Sequence, residues 1–444
     1  MSSIPSALTK SLENTLESRS KRQILRRLPA PSSPSTSSSP IDFTSNDYLS
    51  LSTSPILHAH LLSAVSRAPH ILGSGGSRLL VNPITHATFE SRLTTFFNHT
   101  PGGTLLFNSG FDANVSFFSA VPQPGDFVVY DEYIHASVHD GLRAGCRAKR
   151  RRSFKNNDLE SLSRVLEGLI VESDELRDGS VSLFLAVESL YSMDGTFAPL
   201  RSMVRILEEL FPLGNAYLIV DEAHATGLYG PRGRGRVALE GLEGHPRILA
   251  RLCTFGKALA ATGAVLLTTP LIVHYLTNYA RPLVFTTALS HLAIIAASSS
   301  FDMLENGTAG RLAERVLGLS RDFSKNLKRQ LREEGVGNNI IRVGLDAHID
   351  ADASPIIPLL TPPPENRSYS PAHALSAHLL SEHGILARPI TWPTVPKGQD
   401  RVRVCLHAGH TEEQVTALVE GIVEWAKSRL VKEAEEGIFV RSRL

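Results

Sequence analysis

Six short apolar runs decide what this chain can become. Residues 103–107, 127–130, 181–187, 216–220, 252–255 and 263–267 are each strand-length, and stretches at helical spacing separate them. Alternation of this kind requires a mostly parallel sheet with helices on both faces, because each parallel strand has to be reached by a crossover. In such folds ligands bind beyond the carboxyl ends of the strands. The polar residues that follow each apolar run are therefore the ones to read for function.

The chain of 444 residues has room for such a sheet and a second domain, and 42% apolar against 20% charged residues is the balance of a globular protein. Beyond about residue 288 the pattern changes to long helices, over 288–304 and 310–334, then short strands near 353–360 and 401–406. A last helix opens at Thr411-Glu412-Glu413-Gln414 with the spacing of a capping box. The expected organisation is an N-terminal helix and Ser/Pro-rich linker (1–40, the helix within 4–28), a large domain (41–288), a smaller α+β C-terminal domain (289–437) and a tail (438–444). The stretch at 362–371 reads as an exposed insertion.

Charge and cysteine content exclude several classes. Lys+Arg is 45 and Asp+Glu is 44, a net charge of +1, which gives no field to hold a nucleic acid. The three cysteines, Cys146, Cys253 and Cys405, are scattered, so neither a disulfide framework nor a CxxC zinc pair is available, and no metal is expected. They suit a reducing compartment. No apolar run approaches the ~18 residues of a membrane span. The chain ends Ser442-Arg443-Leu444, a variant of the SKL peroxisomal address. The expected localisation is peroxisomal, through the import receptor, and otherwise cytoplasmic. Glu13 and Glu17 argue against a mitochondrial transit peptide.

Four polar clusters follow strands. Asn108-Ser109-Gly110-Phe111-Asp112-Ala113-Asn114 is a small-residue turn into a helix, whose free N–H groups make a phosphate site. Tyr133-Ile134-His135-Ala136-Ser137 offers a histidine able to stack on a planar ring. Asp221-Glu222-Ala223-His224 places an acid at a strand tip; it also reads DEAH, as in helicases, but the only Gly-Lys, at Gly256-Lys257, is followed by Ala258, so there is no P-loop. Lys257 itself sits among Phe255, Ala258 and Leu259, where a buried amine becomes a nucleophile or base. Each cluster alone has an ordinary structural explanation: a turn, a core histidine, a loop lysine. Together they are what pyridoxal 5'-phosphate requires, a lysine for the Schiff base and an acid to hold the pyridine nitrogen protonated.

The motifs that carry these residues also resemble a known family, the α-oxoamine synthases, pyridoxal-phosphate enzymes of the aspartate-aminotransferase fold (fold type I). FTSNDYLSLS (43–52), GSGGSRLL (73–80), NSGFDAN (108–114), DEYIHAS (131–137), ESLYSMDGTFAPL (188–200), VDEAHATG (220–227), TFGK (254–257) and PTVPKG (393–398) occur in the family's order. The resemblance implies an α/β large domain with a mostly parallel sheet of the seven-stranded type. It implies that Lys257 carries the cofactor, that Asp221 pairs with the pyridine nitrogen, that His224 bonds the ring's phenolic oxygen and that His135 stacks on the ring. Ser109, Gly110, Phe111, Ser192 and Thr254 would contact the cofactor. Thr286 and Thr287 would reach the phosphate of a neighbouring subunit, so a homodimer is implied. Arg403 would bind the amino-acid carboxylate, with Asn46 near it and Thr394 near the acyl substrate.

The activity implied is a decarboxylating condensation of an amino acid with an acyl-CoA, giving an aminoketone. Within the family the chain looks most like the members of biotin biosynthesis that join L-alanine to pimeloyl-CoA. The alternatives are a relative using another acyl-CoA or amino acid, in secondary metabolism or like the 2-amino-3-ketobutyrate enzymes, or an inactive partner subunit. One departure touches substrate reading: Thr391 stands where bacterial members place an arginine two residues before PTVP. The distal carboxylate of the acyl chain would then fall to Arg388 or Arg27.

Overall fold

The computed structural model describes residues 6–441 apart from 23, 27, 29–39, 345–352 and 363–369. Arg27, most of the 362–371 stretch and the terminal Ser442-Arg443-Leu444 lie outside the described residues. The chain divides into two compact units, one of residues 46–318 and 407–409, the other of 1–45, 319–406 and 410–444.

The first unit is built on a seven-stranded sheet. Its strands are β1 (Thr104–Phe107), β2 (Phe127–Asp131), β3 (Arg150–Phe154), β4 (Leu183–Glu188), β5 (Ala216–Asp221), β6 (Ile248–Thr254) and β7 (Ala264–Leu267). Across the sheet the order is 1-7-6-5-4-2-3. Strands 2 to 6 pair in parallel, and β7 runs antiparallel to both β1 and β6. Each of the six apolar runs becomes a strand.

Both faces of the sheet are core, which is why these strands read as continuous apolar runs. On β4, Leu183, Leu185 and Val187 pack with Leu162, Leu166, Met203 and Leu207 from the helices Leu159–Glu172 and Leu200–Leu210. The alternate residues Phe184 and Ala186 pack with Ala113, Phe117, Val138 and Leu142 from the helices Gly110–Ala120 and Ala136–Ala144. Period-2 alternation divides one strand between two cores. The seventh strand, β3, is absent from the sequence reading. Its sequence RRRSF has one apolar residue, its first four positions are not buried, and it lies at the sheet edge, where charged side chains discourage pairing with another chain.

The second unit holds a four-stranded antiparallel sheet of β8 (Arg342–Val343), β9 (Ile356–Leu360), β10 (Arg388–Ile390) and β11 (Arg401–Cys405), in the order 10-11-9-8. The helix Pro371–His383 and the C-terminal helix Glu412–Arg441 belong to it. The capping box forms as spaced: Gln414 N–H donates to Thr411 Oγ1 at 3.2 Å, and Thr411 N–H donates to Gln414 Oε1 at 3.0 Å. The N-terminal helix spans Ala7–Lys21, capped by Ser6, and its Leu8, Leu12 and Leu16 are all exposed. No described helix is long and apolar enough to cross a membrane.

Candidate active site

The site begins where β4, β5 and β6 end side by side. Parallel pairing sets Glu188 against Asp221, and Asp221 against Leu252. The two acids that follow β5 find different partners. Glu222 is fully buried; it pairs with Arg251 at 2.7 Å and accepts from Val237 N–H at 2.7 Å. It is part of the scaffold. Asp221 accepts at Oδ1 from Ala223 N–H (2.9 Å) and at Oδ2 from Asn114 Nδ2 (2.8 Å).

A second chain of bonds runs to the lysine. Tyr48 O–H donates to Asn46 Oδ1 at 3.1 Å, and its oxygen lies 2.7 Å from His224 Nδ1. With its proton committed to Asn46, Tyr48 can only accept from His224, which fixes the Nδ1–H tautomer. His224 Nε2 is then an acceptor, and Lys257 Nζ stands 2.8 Å from it. Lys257 is half-buried, between the buried Phe255 and the buried Ala258 and Leu259. The apolar flank that the sequence offered is real, and the amine is steered by an imidazole acceptor.

A third chain sets the proton on His135. Asn114 Nδ2 also donates to Ser137 Oγ at 3.0 Å, so the Ser137 hydroxyl donates to His135 Nδ1 at 2.7 Å. Ser137 N–H bonds the same nitrogen at 3.2 Å. Nδ1 is thus an acceptor, and neutral His135 carries its proton on Nε2. Desolvation of the ring, aided by the charge of Lys257, holds its pKa below the ordinary value, against the opposing pull of Asp221. His135 is a neutral hydrogen-bond donor, with its residue surface open to solvent.

Ser109 caps the helix Gly110–Ala120: its Oγ accepts from Asp112 N–H at 3.0 Å and donates to Asp112 Oδ2 at 2.9 Å. The first-turn N–H groups of that helix have no acceptor within it. The helix starts beside β6, where a Cβ on Gly110 would lie 3.4 Å from Thr254 Cβ, an ordinary contact. Thr254 Oγ1 donates to Gly263 carbonyl at 3.3 Å and accepts from Gly256 N–H at 3.3 Å. The Phe111 ring meets the His135 ring edge-on, with centroids 6.4 Å apart. Thr286 and Thr287 are exposed, next to Phe285, which is 71% exposed; Asn108 Nδ2 holds Thr287 carbonyl at 2.8 Å.

Glu188, Asn114, Ser137 and Tyr48 lie in the quoted motifs but were not singled out as site residues. Glu188 is the most informative. Burial, then the facing charge of Asp221, pushes its carboxyl well above the ordinary carboxylate range. Its Oε2 accepts from Ser192 N–H at 3.3 Å, while buried Oε1 has no partner among the described residues. Sequence could not pair it with Asp221, because that pairing is a property of strand register.

Of the residues offered for substrate, Asn46 lies in this unit, bonded to Tyr48. Arg403, Arg388 and Thr394 belong to the second unit. There Arg388 and Arg403 are direct cross-strand partners, Arg403 buried and Arg388 exposed, and Thr394 is exposed in the turn after β10.

These residues fit pyridoxal phosphate. A buried carboxylate, an amine on an acceptor imidazole, an open helix start and an orphaned buried acid oxygen are the groups a charged aromatic cofactor uses. The comparisons with known proteins agree. The profile of the aminotransferase class I and II family matches residues 38–422. The chain is 41% identical to the 8-amino-7-oxononanoate synthase of Emericella nidulans over 96% of this chain and 97% of that one. It is 37% identical to the aminoacyl transferase sphA of Aspergillus fumigatus over 89% and 83%. A serine palmitoyltransferase of S. paucimobilis with bound PLP-myriocin aldimine superposes with a TM-score of 0.77 at 25% identity, over 96% of this chain and 100% of that one. An 8-amino-7-oxononanoate synthase of Francisella tularensis gives 0.67 at 27%, over 88% and 99%. Matches along nearly the whole length put the descent beyond the fold alone: the chain belongs to the class I and II aminotransferase family and, within it, to the pyridoxal-phosphate-dependent α-oxoamine synthases.

Proposed function

We propose that the protein joins L-alanine to pimeloyl-CoA, releasing CoA and carbon dioxide and forming 8-amino-7-oxononanoate. The observation that carries the reading is the Tyr48–His224–Lys257 chain, with the amine 2.8 Å from an acceptor imidazole. It is supported by 41% identity to a fungal relative of that name over nearly the whole of both chains. When bound, the cofactor supplies an electron sink for the carbanion at the amino acid's α-carbon. Lys257 is the base for the α-proton, and His224 steers its amine. Asp221, held at both oxygens by Asn114 and Ala223, would pair with the pyridine nitrogen. The Nε2–H of neutral His135 donates to oxygen that gains charge as the thioester is attacked. Ser109, Gly110, Phe111, Ser192 and Thr254 make further cofactor contacts, and Arg403 and Asn46 serve the amino-acid substrate. Thr394 borders the acyl chain, and Arg388 or Arg27 reads its distal carboxylate.

The second reading is the same reaction with another acyl-CoA, favoured by the 37% identity to an aminoacyl transferase. A substrate screen separates the two. CoA release from alanine with pimeloyl-CoA, against serine and long-chain acyl-CoAs, should favour the first pair; no release with pimeloyl-CoA removes the biotin role. A lysine-bound cofactor should vanish in Lys257→Ala, which separates an enzyme from an inactive partner subunit. The enzyme acts as a homodimer, with Thr286 and Thr287 offered to the partner subunit's cofactor phosphate, and a dimer mass in solution checks this. The protein is imported into peroxisomes through its SRL end. A tagged protein lacking residues 442–444 should disperse, and an unchanged distribution refutes the address.

A further inference from the structure

We propose that His378, His383 and Glu424 form a binding site for a divalent transition metal of the zinc class, outside the catalytic centre. Their donor atoms, two imidazole nitrogens and a carboxylate oxygen, all lie within 4.8 Å of one another. His383 Nε2 is 3.1 Å from Glu424 Oε2, and His378 Nε2 is 3.9 Å from the same oxygen. In tetrahedral zinc, with bonds of about 2.0–2.1 Å, donor atoms sit about 3.3–3.5 Å apart. The two histidine–carboxylate distances bracket that spacing. Two imidazoles and one carboxylate, with a fourth position left for water, suit zinc among the divalent metals.

Three further observations point to a ligand here. His378 Nε2 is buried and has no hydrogen-bond partner among the described residues, although a carboxylate oxygen faces it beyond bonding distance; a buried polar atom without a partner calls for an explanation. The C-terminal helix carries Gly421 one turn before Glu424. A Cβ there would fall 2.8 Å from His383 Cδ2 and 3.0 Å from its Nε2. Glycine is unfavourable inside a helix, and here it lets the imidazole ring lie against the helix beside the carboxylate. Finally, His383 ends the helix Pro371–His383, where the helix dipole attracts a cation. The Glu424 side chain is 63% exposed, which gives the metal a path from solvent. An occupied site would pin the end of one helix to the flank of the other.

The test uses the holoenzyme, freed of metal by chelation and desalting, and titrated with Zn2+ alone. Wild type should bind one equivalent more than the His378→Ala/His383→Ala double variant, and its unfolding midpoint should rise in excess Zn2+ by several degrees more than the variant's. Co2+ should give a visible absorption of low-coordinate cobalt in wild type only, and Mg2+, which prefers oxygen ligands, should give nothing. Glu424→Gln keeps the shape of the site and should weaken binding at least about tenfold, which serves if the double variant folds poorly. Gly421→Ala should weaken binding with all three ligands present. Equal zinc stoichiometry in wild type and variants, or no saturable binding in wild type, overturns the proposal and leaves a His383–Glu424 ion pair.

Discussion

A single change at Asn114 reaches two residues of the site at once. Its one amide nitrogen serves both Asp221 Oδ2 (2.8 Å) and Ser137 Oγ (3.0 Å), and the residue is 3% exposed. Leucine has the same number and branching of side-chain heavy atoms, though a larger volume, and no donor, so Asn114→Leu fills the site and removes both bonds. A hydrogen bond to a charged group contributes about 1.5–3 kcal/mol. Asp221 would keep the bond from Ala223 N–H. If that energy acts on the bound cofactor, its dissociation constant should rise by about 10- to 150-fold, at 1.4 kcal/mol per decade. Ser137 would lose the bond that orients its hydroxyl toward His135, so kcat should fall even at saturating cofactor. Asn114→Asp, which sets a second carboxylate against Asp221, should be worse than leucine. The assay is equilibrium dialysis of pyridoxal phosphate together with CoA release, with circular dichroism to confirm the fold. A folded Asn114→Leu protein that binds cofactor and turns over within twofold of wild type would refute the reasoning.

Three further outcomes follow from buried groups. Glu188 has a folded-state pKa above its unfolded value, so the wild type should lose stability as pH rises from about 4.5 toward the folded value; Glu188→Gln should lack that slope in a plot of unfolding midpoint against pH. Arg251→Met strands fully buried Glu222 without its counter-charge and should cost about 3–5 kcal/mol in denaturant unfolding, while adding Glu222→Gln should recover part of it. The three cysteines are all free and buried, burial raises each thiol pKa, and that of Cys253 is pushed up to about 12. Iodoacetamide at pH 8 should label none of them in the native protein and all of them in denaturant.

Much of the fold was legible because parallel strands buried on two faces leave unbroken apolar runs, and because the polar residues after them are contiguous. What stayed hidden depends on distance in the sequence. RRRSF becomes a strand only because Phe127–Asp131 is there to pair with it. Glu188 meets Asp221 through register, and Tyr48 reaches His224 across 176 positions. The His378–His383–Glu424 cluster combines a five-residue step on one helix with a single acid on another, a spacing with no motif behind it. The motifs named the lysine, the acid and the histidines, and the hydrogen bonds that set their protons came from the fold.

Asp221 and Glu222 are neighbours in the chain with different employment, one bonded to Asn114 and the other locked to Arg251. Because a strand presents its residues alternately, a codon lost inside Ala216–Asp221 would bring Glu222 to the place of Asp221 beside Asn114 and leave Ala223 opposite Arg251, and a codon gained would put Val220 beside Asn114 and the shorter Asp221 opposite the arginine. The strand can change its composition freely but not its length by one. That constraint on insertions and deletions falls on a segment whose one candidate site residue is its last, and it is one that substitution scanning would never detect.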